Sequence, residues 1–281
     1  MIDFFITPFE SYAFLRRGLM ACFALSLGCA PIGVFLVLRR MSLMGDALSH
    51  SVLPGVAIGY LFAGLSLPAM GIGGVFSGLI VASLASFVSR KTLLKEDASF
   101  VGFYLIALAL GAVLVSVKGN SVDLIHILFG SILAVNKASL LLVSGISSVS
   151  LLVLALIYRP LIIECFDPIF MRSIGVRGHY YHMMFMGLVV LNMVAAFQAL
   201  GTLMALGMMM MPAIAARFWA REIWSLCVFA FFFALTASYI GLVLSFHYHW
   251  PSGPSIILIG SIFYVFSLAL GRYGSLRHPR L

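Results

Sequence analysis

Apolar runs near or above the roughly 20 residues that cross a hydrocarbon core recur along the whole of this 281-residue chain. Lipid is therefore its solvent, and there only helices or closed barrels satisfy the backbone. Strict apolar/polar alternation is missing, which selects helices. The implied spans are 18–38, 46–67, 68–88, 99–117, 138–158, 183–200, 201–216, 223–246 and 255–270. The boundary at Leu200/Gly201 is the weakest, because the apolar stretch 183–216 divides into two short crossings or reads as one long crossing and a broken one. The expectation is an all-α polytopic transmembrane bundle of about eight or nine helices.

Composition agrees. The chain is 63% hydrophobic and 9% charged, against about 25% charged in a globular domain. No low-complexity linker or soluble domain interrupts it, so 1–281 reads as a single transmembrane domain. Its parts are an N-terminal interfacial segment at 1–17, an outer loop at 118–137, an inner loop at 159–182 and a tail at 271–281. The positive-inside bias orients the spans with the N-terminus outside and the C-terminus in the cytoplasm. Arg39, Arg40, Arg90, Lys91, Lys95, Arg159, Arg172, Arg177, Arg217, Arg221, Arg272, Arg277 and Arg280 then lie inside, and Arg16, Arg17, Lys118 and Lys137 outside. The net charge of +8 follows from topology and anionic headgroups, not from nucleic-acid binding. Arg16-Arg17 ahead of the first span reads as the flank of a retained anchor, since no Ala-x-Ala-like cleavage site follows. Cys22, Cys29, Cys165 and Cys227 show no Cys-x-x-Cys spacing and read as free thiols.

Met44-Gly-Asp-Ala-Leu-Ser-His-Ser-Val-Leu-Pro-Gly55 places a carboxylate, Asp46, and an imidazole, His50, at the start of an apolar span. A carboxylate at membrane depth costs on the order of 2.5–3.5 kcal/mol, so such a residue implies pairing or function. The i, i+4 spacing sets both side chains on one helical face about 6 Å of rise apart. Two readings remain open: Asp46 caps a helix start, or the pair shares a ligand. Pro54 removes the donor to the His50 carbonyl and opens a polar position there. Oxygen plus imidazole suits Mn(II), Fe(II) or Zn(II), whereas sulfur ligands suit Cu(I). Two ligands hold an ion poorly, but a two-fold dimer with this helix at its axis would bring four together.

Arg39-Arg-Met-Ser-Leu-Met-Gly-Asp-Ala-Leu-Ser-His-Ser-Val-Leu-Pro-Gly-Val-Ala57 resembles the signature of the ABC-3 family, permease subunits of zinc and manganese ABC importers. Val122-Asp-Leu-Ile-His-Ile-Leu-Phe-Gly-Ser-Ile-Leu-Ala-Val135 resembles its outer-loop segment, and Phe166-Asp-Pro-Ile-Phe-Met-Arg-Ser-Ile-Gly175 its coupling segment. Gly201-Thr-Leu, Met211-Pro-Ala-Ile-Ala-Ala-Arg217 and Ser252-Gly-Pro-Ser255 are similar to its later motifs. The resemblance implies a homodimeric pore in the bacterial inner (plasma) membrane, a cytoplasmic ABC ATPase dimer below it, and an extracytoplasmic metal-binding protein. It also implies metal coordination by Asp46 and His50. Ser51 replaces a common alanine, and Met208–Met211 replace a mostly aliphatic stretch; four consecutive methionines point all round a helix and read as packing.

On that reading the chain is not an enzyme, carries no permanent cofactor, and moves manganese or zinc as cargo, with iron a further candidate. ATP enters only through the partner, since no Gly-x4-Gly-Lys-[Ser/Thr] loop occurs. The inner loop offers the ATPase a contact. Asp167 before Pro168 suits a helix start, Phe166, Phe170 and Ile174 form one apolar stripe, Ser173 lies near its end, and Gly175 stops it. The same stripe could instead lie on the membrane surface. Pro212 frees the carbonyl of Met208. Outside, His247 and His249 share a face if extended, and Asp123 and His126 sit three apart; all four are candidates for contact with metal or binding protein, or are plain interfacial residues. His179 and His182 read as anchors at the inner membrane edge. Glycines at 55, 59, 71, 73, 74 and 78 allow close helix approach.

Enzyme alternatives lack their motifs, since no His-Glu-x-x-His occurs and Leu43 interrupts a Gly-x-Gly-Asp pattern. The remaining alternative is a proton-coupled secondary metal transporter using the same Asp/His pair.

Overall fold

The computed structural model describes residues 2–64, 66–117, 135–173, 175–176 and 178–273. Its helices, in chain order, are α1 (Ile2–Ser11), α2 (Ala13–Leu38), α3 (Ser42–Ser51), α4 (Leu53–Ala63), α5 (Leu67–Lys91), α6 (Glu96–Val117), α7 (Lys137–Phe166), α8 (Pro168–Ser173), α9 (Gly178–Leu200), α10 (Thr202–Ala216), α11 (Ile223–Tyr248) and α12 (Ser252–Leu270). Among the described residues there is no strand. Among the described residues, seven helices are long and apolar enough to cross a membrane: α2, α5, α6, α7, α9, α11 and α12. The expected spans 46–67 and 201–216 are occupied by shorter pieces, α3 with α4, and α10.

Local chemistry sets the breaks. Gly201 takes φ 93 between α9 and α10, a left-handed conformation that glycine adopts without a Cβ clash. The doubtful boundary at Leu200/Gly201 is therefore a real break. The chain turns from α2 into α3 through Arg40, a non-glycine residue at φ 61. Val52 stays right-handed between α3 and α4, and Pro54 falls in the first turn of α4, where a missing N–H costs least. Two helices run further than their apolar cores suggest. α6 begins at Glu96 rather than Ser99, and α7 continues through Arg159 and Pro160 to Phe166, with Leu161 wholly buried.

The helices form two compact units. In the first, α10, α11 and α12 pack on one another, and a Cβ on Gly33 of α2 would strike the Met209 carbonyl of α10. In the second, α4 and α5 cross with Gly55 and Gly73 in mutual backbone contact, and α6 packs on α3, α4 and α5. Side chains supplement the backbone ladder here. Asn192 of α9 donates to Ser150 of α7 at 2.6 Å and to the Leu188 carbonyl at 2.9 Å, and Ser99 of α6 donates to the Ala85 carbonyl of α5 at 3.0 Å. Such bonds satisfy polar groups that lipid leaves dry.

Candidate functional site

Asp46 and His50 lie in the interior of α3. The helix starts one turn earlier, with Met41 at its N-cap and no side-chain cap bond, so the capping role open to Asp46 in the sequence is not the one it has. Met44, Gly45, Ala47, Leu48, Ser49 and Ser51 are buried, which leaves Ser42, Leu43, Asp46 and His50 as the more open residues of the helix. His50 Nε2 stands 3.7 Å from Asp46 Oδ1, with the side chains 39% and 58% exposed. That distance exceeds a hydrogen bond and leaves room for both groups to turn toward a shared ligand.

Two further elements steady the pair. Tyr104 of α6 stacks beside the His50 ring, centroids 6.1 Å apart at 28°. No sequence spacing links those two residues, which is why Tyr104 escaped the motif reading. At the end of α3, Ser77 of α5 donates to the Ser51 carbonyl at 2.7 Å, next to the position where Pro54 lacks a donor. Among the described residues, no group of three or more His, Cys, Asp or Glu converges. One chain thus offers two ligands, one oxygen and one nitrogen, on an open helical face.

The other expected residues fall elsewhere. Pro54 is buried in α4. Pro212 is buried within α10, which also buries Met208, Met209 and Met210; Ser238 of α11 approaches the Met208 sulfur at 3.8 Å. The segment after α7 forms the short helix α8. Asp167 accepts a 2.9 Å bond from the Phe170 N–H, a cap of the expected kind. Ser173 donates to the Phe170 carbonyl. Gly175 has φ 74, and the Val176 N–H returns to the Met171 carbonyl at 3.2 Å, closing the helix in a Schellman pattern. Phe166 and Phe170 are exposed, and so is Ile169, at 76%. Ile174, Asp123 and His126 lie outside the described residues. His247 lies in the last turn of α11 and His249 is its left-handed C-cap at φ 54, so the stretch is not extended and the two do not share a strand face.

A multi-pass helical membrane protein with a paired acid and imidazole on a broken helix, and a separately capped short helix after its longest span, is a transport permease in class. The chain matches the ABC 3 transport family over residues 11–271 and belongs to that family. It is therefore a membrane transport subunit and not an enzyme. It is 35% identical over 267 residues to the manganese import system permease protein ScaB of Streptococcus parasanguinis, covering 95% of this chain and 94% of that one. It is 35% identical over 269 residues to the manganese transport system membrane protein MntC of Halalkalibacterium halodurans, covering 95% and 90%. Among solved structures, PsaBC from Streptococcus pneumoniae in complex with Fab matches with a TM-score of 0.85 and 33% identity, over 99% of this chain and 100% of that one.

Proposed function

We propose that this chain is the membrane subunit of an ATP-driven manganese importer, in which Asp46 and His50 from two copies form the transient site for the ion. The observation that carries the reading is the open face of α3. A half-exposed carboxylate and imidazole one turn apart, in a bundle whose solvent is lipid, need a polar neighbour. A second copy related by a two-fold axis supplies one with the same chemistry. Two Asp and two His give a mixed oxygen and nitrogen set that accepts Mn(II), with Zn(II) and Fe(II) chemically acceptable competitors. The names of the manganese-importing relatives favour Mn(II) as the cargo.

The remaining parts follow from that assignment. Energy comes from a cytoplasmic ATPase dimer that meets the exposed Phe166, Ile169 and Phe170 around α8. The ion arrives from an extracytoplasmic metal-binding protein. Release is easy because a site shared between two chains loses half its ligands when they part. The test is uptake of Mn(II) at limiting concentration by cells carrying the intact system. Asp46→Ala and His50→Ala each abolish uptake while the protein still inserts; full uptake by either variant refutes the ligand assignment. Vanadate blocks this uptake, whereas a proton-coupled transporter using the same pair continues in its presence.

A further inference from the structure

One polar cluster in the second unit lies apart from Asp46 and His50. Arg39 follows α2 directly and precedes the left-handed Arg40 and Met41, the N-cap of α3. Its Nε donates to the Cys165 sulfur at 2.9 Å, and its Nη1 lies 2.6 Å from His182 Nδ1. The guanidinium also stands over the Phe185 ring, 5.1 Å from the centroid. His182 is only 4% exposed, and its Nε2 lies 2.8 Å from Glu96 Oε1.

The donors fix the imidazole's form. A guanidinium only donates, so His182 Nδ1 accepts, and Nε2 carries the hydrogen given to the Glu96 carboxylate. His182 is thereby a neutral strut between a cation and an anion. Arg39 Nη2 is buried and has no hydrogen-bond partner among the described residues. A buried donor left open in an otherwise satisfied cluster is uncommon and sets this arginine apart from a fully paired structural contact.

The location gives the cluster its meaning. Cys165 is the next-to-last residue of α7, and His182 and Phe185 lie in the first two turns of α9. These are the two flanks of α8. Glu164, beside Cys165, packs its carboxylate against Gly178 at the start of α9. Arg39 thus grips both sides of the α8 connection and, through His182, the start of α6, while its own backbone leads into α3.

We propose that Arg39, with His182 as its strut, is a positioning residue that ties α8 to the helix bearing Asp46 and His50, so that displacement of α8 is carried to the metal site. This rests on the reading that α8 meets the ATPase and α3 holds the ion. Small shifts of a bound guanidinium are transmitted because packed helices move as rigid bodies. A planar fork with donors on separate atoms is required; lysine, a point charge, cannot hold Cys165 and His182 in the same geometry.

The experiment uses the permease with its ATPase in proteoliposomes supplied with the metal-binding protein loaded with Mn(II), and measures ATP hydrolysed and Mn(II) taken up in one preparation. Arg39→Lys and His182→Ala hydrolyse ATP near the wild-type rate, but Mn(II) moved per ATP falls about tenfold, within the usual span of coupling between sites. His182→Gln keeps one donor and one acceptor and retains most of the coupling. Where His182→Ala does not insert, Arg39→Lys against His182→Gln decides. Wild-type uptake per ATP in Arg39→Lys overturns the proposal. So does a parallel loss of hydrolysis and uptake at constant ratio, which marks a merely structural contact. Asp46→Ala in the same vesicles reports on the metal site separately: its retention of uptake refutes that reading, whatever Arg39 does.

Discussion

The Ser77 hydroxyl of α5 donates a 2.7 Å hydrogen bond to the carbonyl of Ser51, the last residue of α3. The bond sits at the joint where Val52 separates α3 from α4 and Pro54 withholds an N–H. It ties the end of the helix that carries Asp46 and His50 to a neighbour rather than to its own continuation. Ser77→Ala removes the donor and is expected to lower the unfolding free energy by about 1 kcal/mol, the net value of one such bond. Ser77→Thr keeps the hydroxyl and stays near wild type. Thermal denaturation in detergent compares the two, and equal melting of Ala and wild type would contradict the role.

The crossing of α4 and α5 depends on missing side chains. A Cβ on Gly55 would strike the Gly73 carbonyl, and one on Gly73 would strike the Gly55 carbonyl. Backbone cannot step aside as a flexible side chain does. Gly55→Ala or Gly73→Ala should therefore cost about 1–3 kcal/mol through forced separation of the helices. Gly102 of α6 has no atom within 4 Å of the same position, and Gly102→Ala should be neutral or stabilising by up to about 1 kcal/mol from helix propensity. Melting temperatures of the three variants check the contrast.

The crossings were legible because lipid imposes one rule on every residue of a span, and composition carries that rule in any short window. Gly201 could be suspected of a break but not proved, since glycine in an apolar run fits a helix as well as a φ of 93. A cap at Asp46 stayed open because the residue that caps the helix, Met41, has no side chain that announces a helix start and makes no cap bond. The Asp/His pair itself was readable, being local to one turn. Its companions were not: Tyr104 reaches His50 by packing of α6 on α3, and His182 meets Arg39 across 143 positions of sequence. An edge-of-membrane anchor and a buried strut have the same local sequence, which is why His182 read as the former.

The start and stop of α8 are each fixed by one residue. Asp167 accepts the Phe170 N–H, and replacing an N-cap aspartate by alanine costs about 1 kcal/mol; Asp167→Asn retains the acceptor. Gly175 holds φ 74, where a Cβ costs roughly 1–2 kcal/mol. A helix of six residues has little cooperativity to absorb such losses. Asp167→Ala and Gly175→Val are expected to increase proteolytic cleavage between α7 and α9, with Asp167→Asn near wild type. Unchanged cleavage in Gly175→Val would mean the turn does not set the helix end.

Ile169 adds a residue to the proposed docking surface that the stripe of Phe166, Phe170 and Ile174 did not contain. It is more exposed than either phenylalanine, and it adjoins Phe170 on a helix whose Met171 is buried. An exposed apolar cluster on so short a helix suits a contact with a protein or with the membrane surface. If the ATPase covers it, a charge there is desolvated without a partner, a change that typically costs several kcal/mol at an interface. Ile169→Asp and Phe170→Asp should each prevent recovery of the ATPase with the tagged permease, while Thr92→Asp, an exposed change at the end of α5, leaves recovery intact. The alternative is a stripe lying on the membrane surface. In that case both aspartates weaken insertion but the ATPase still co-purifies with whatever permease remains, so the ratio of the two proteins on a gel separates the readings.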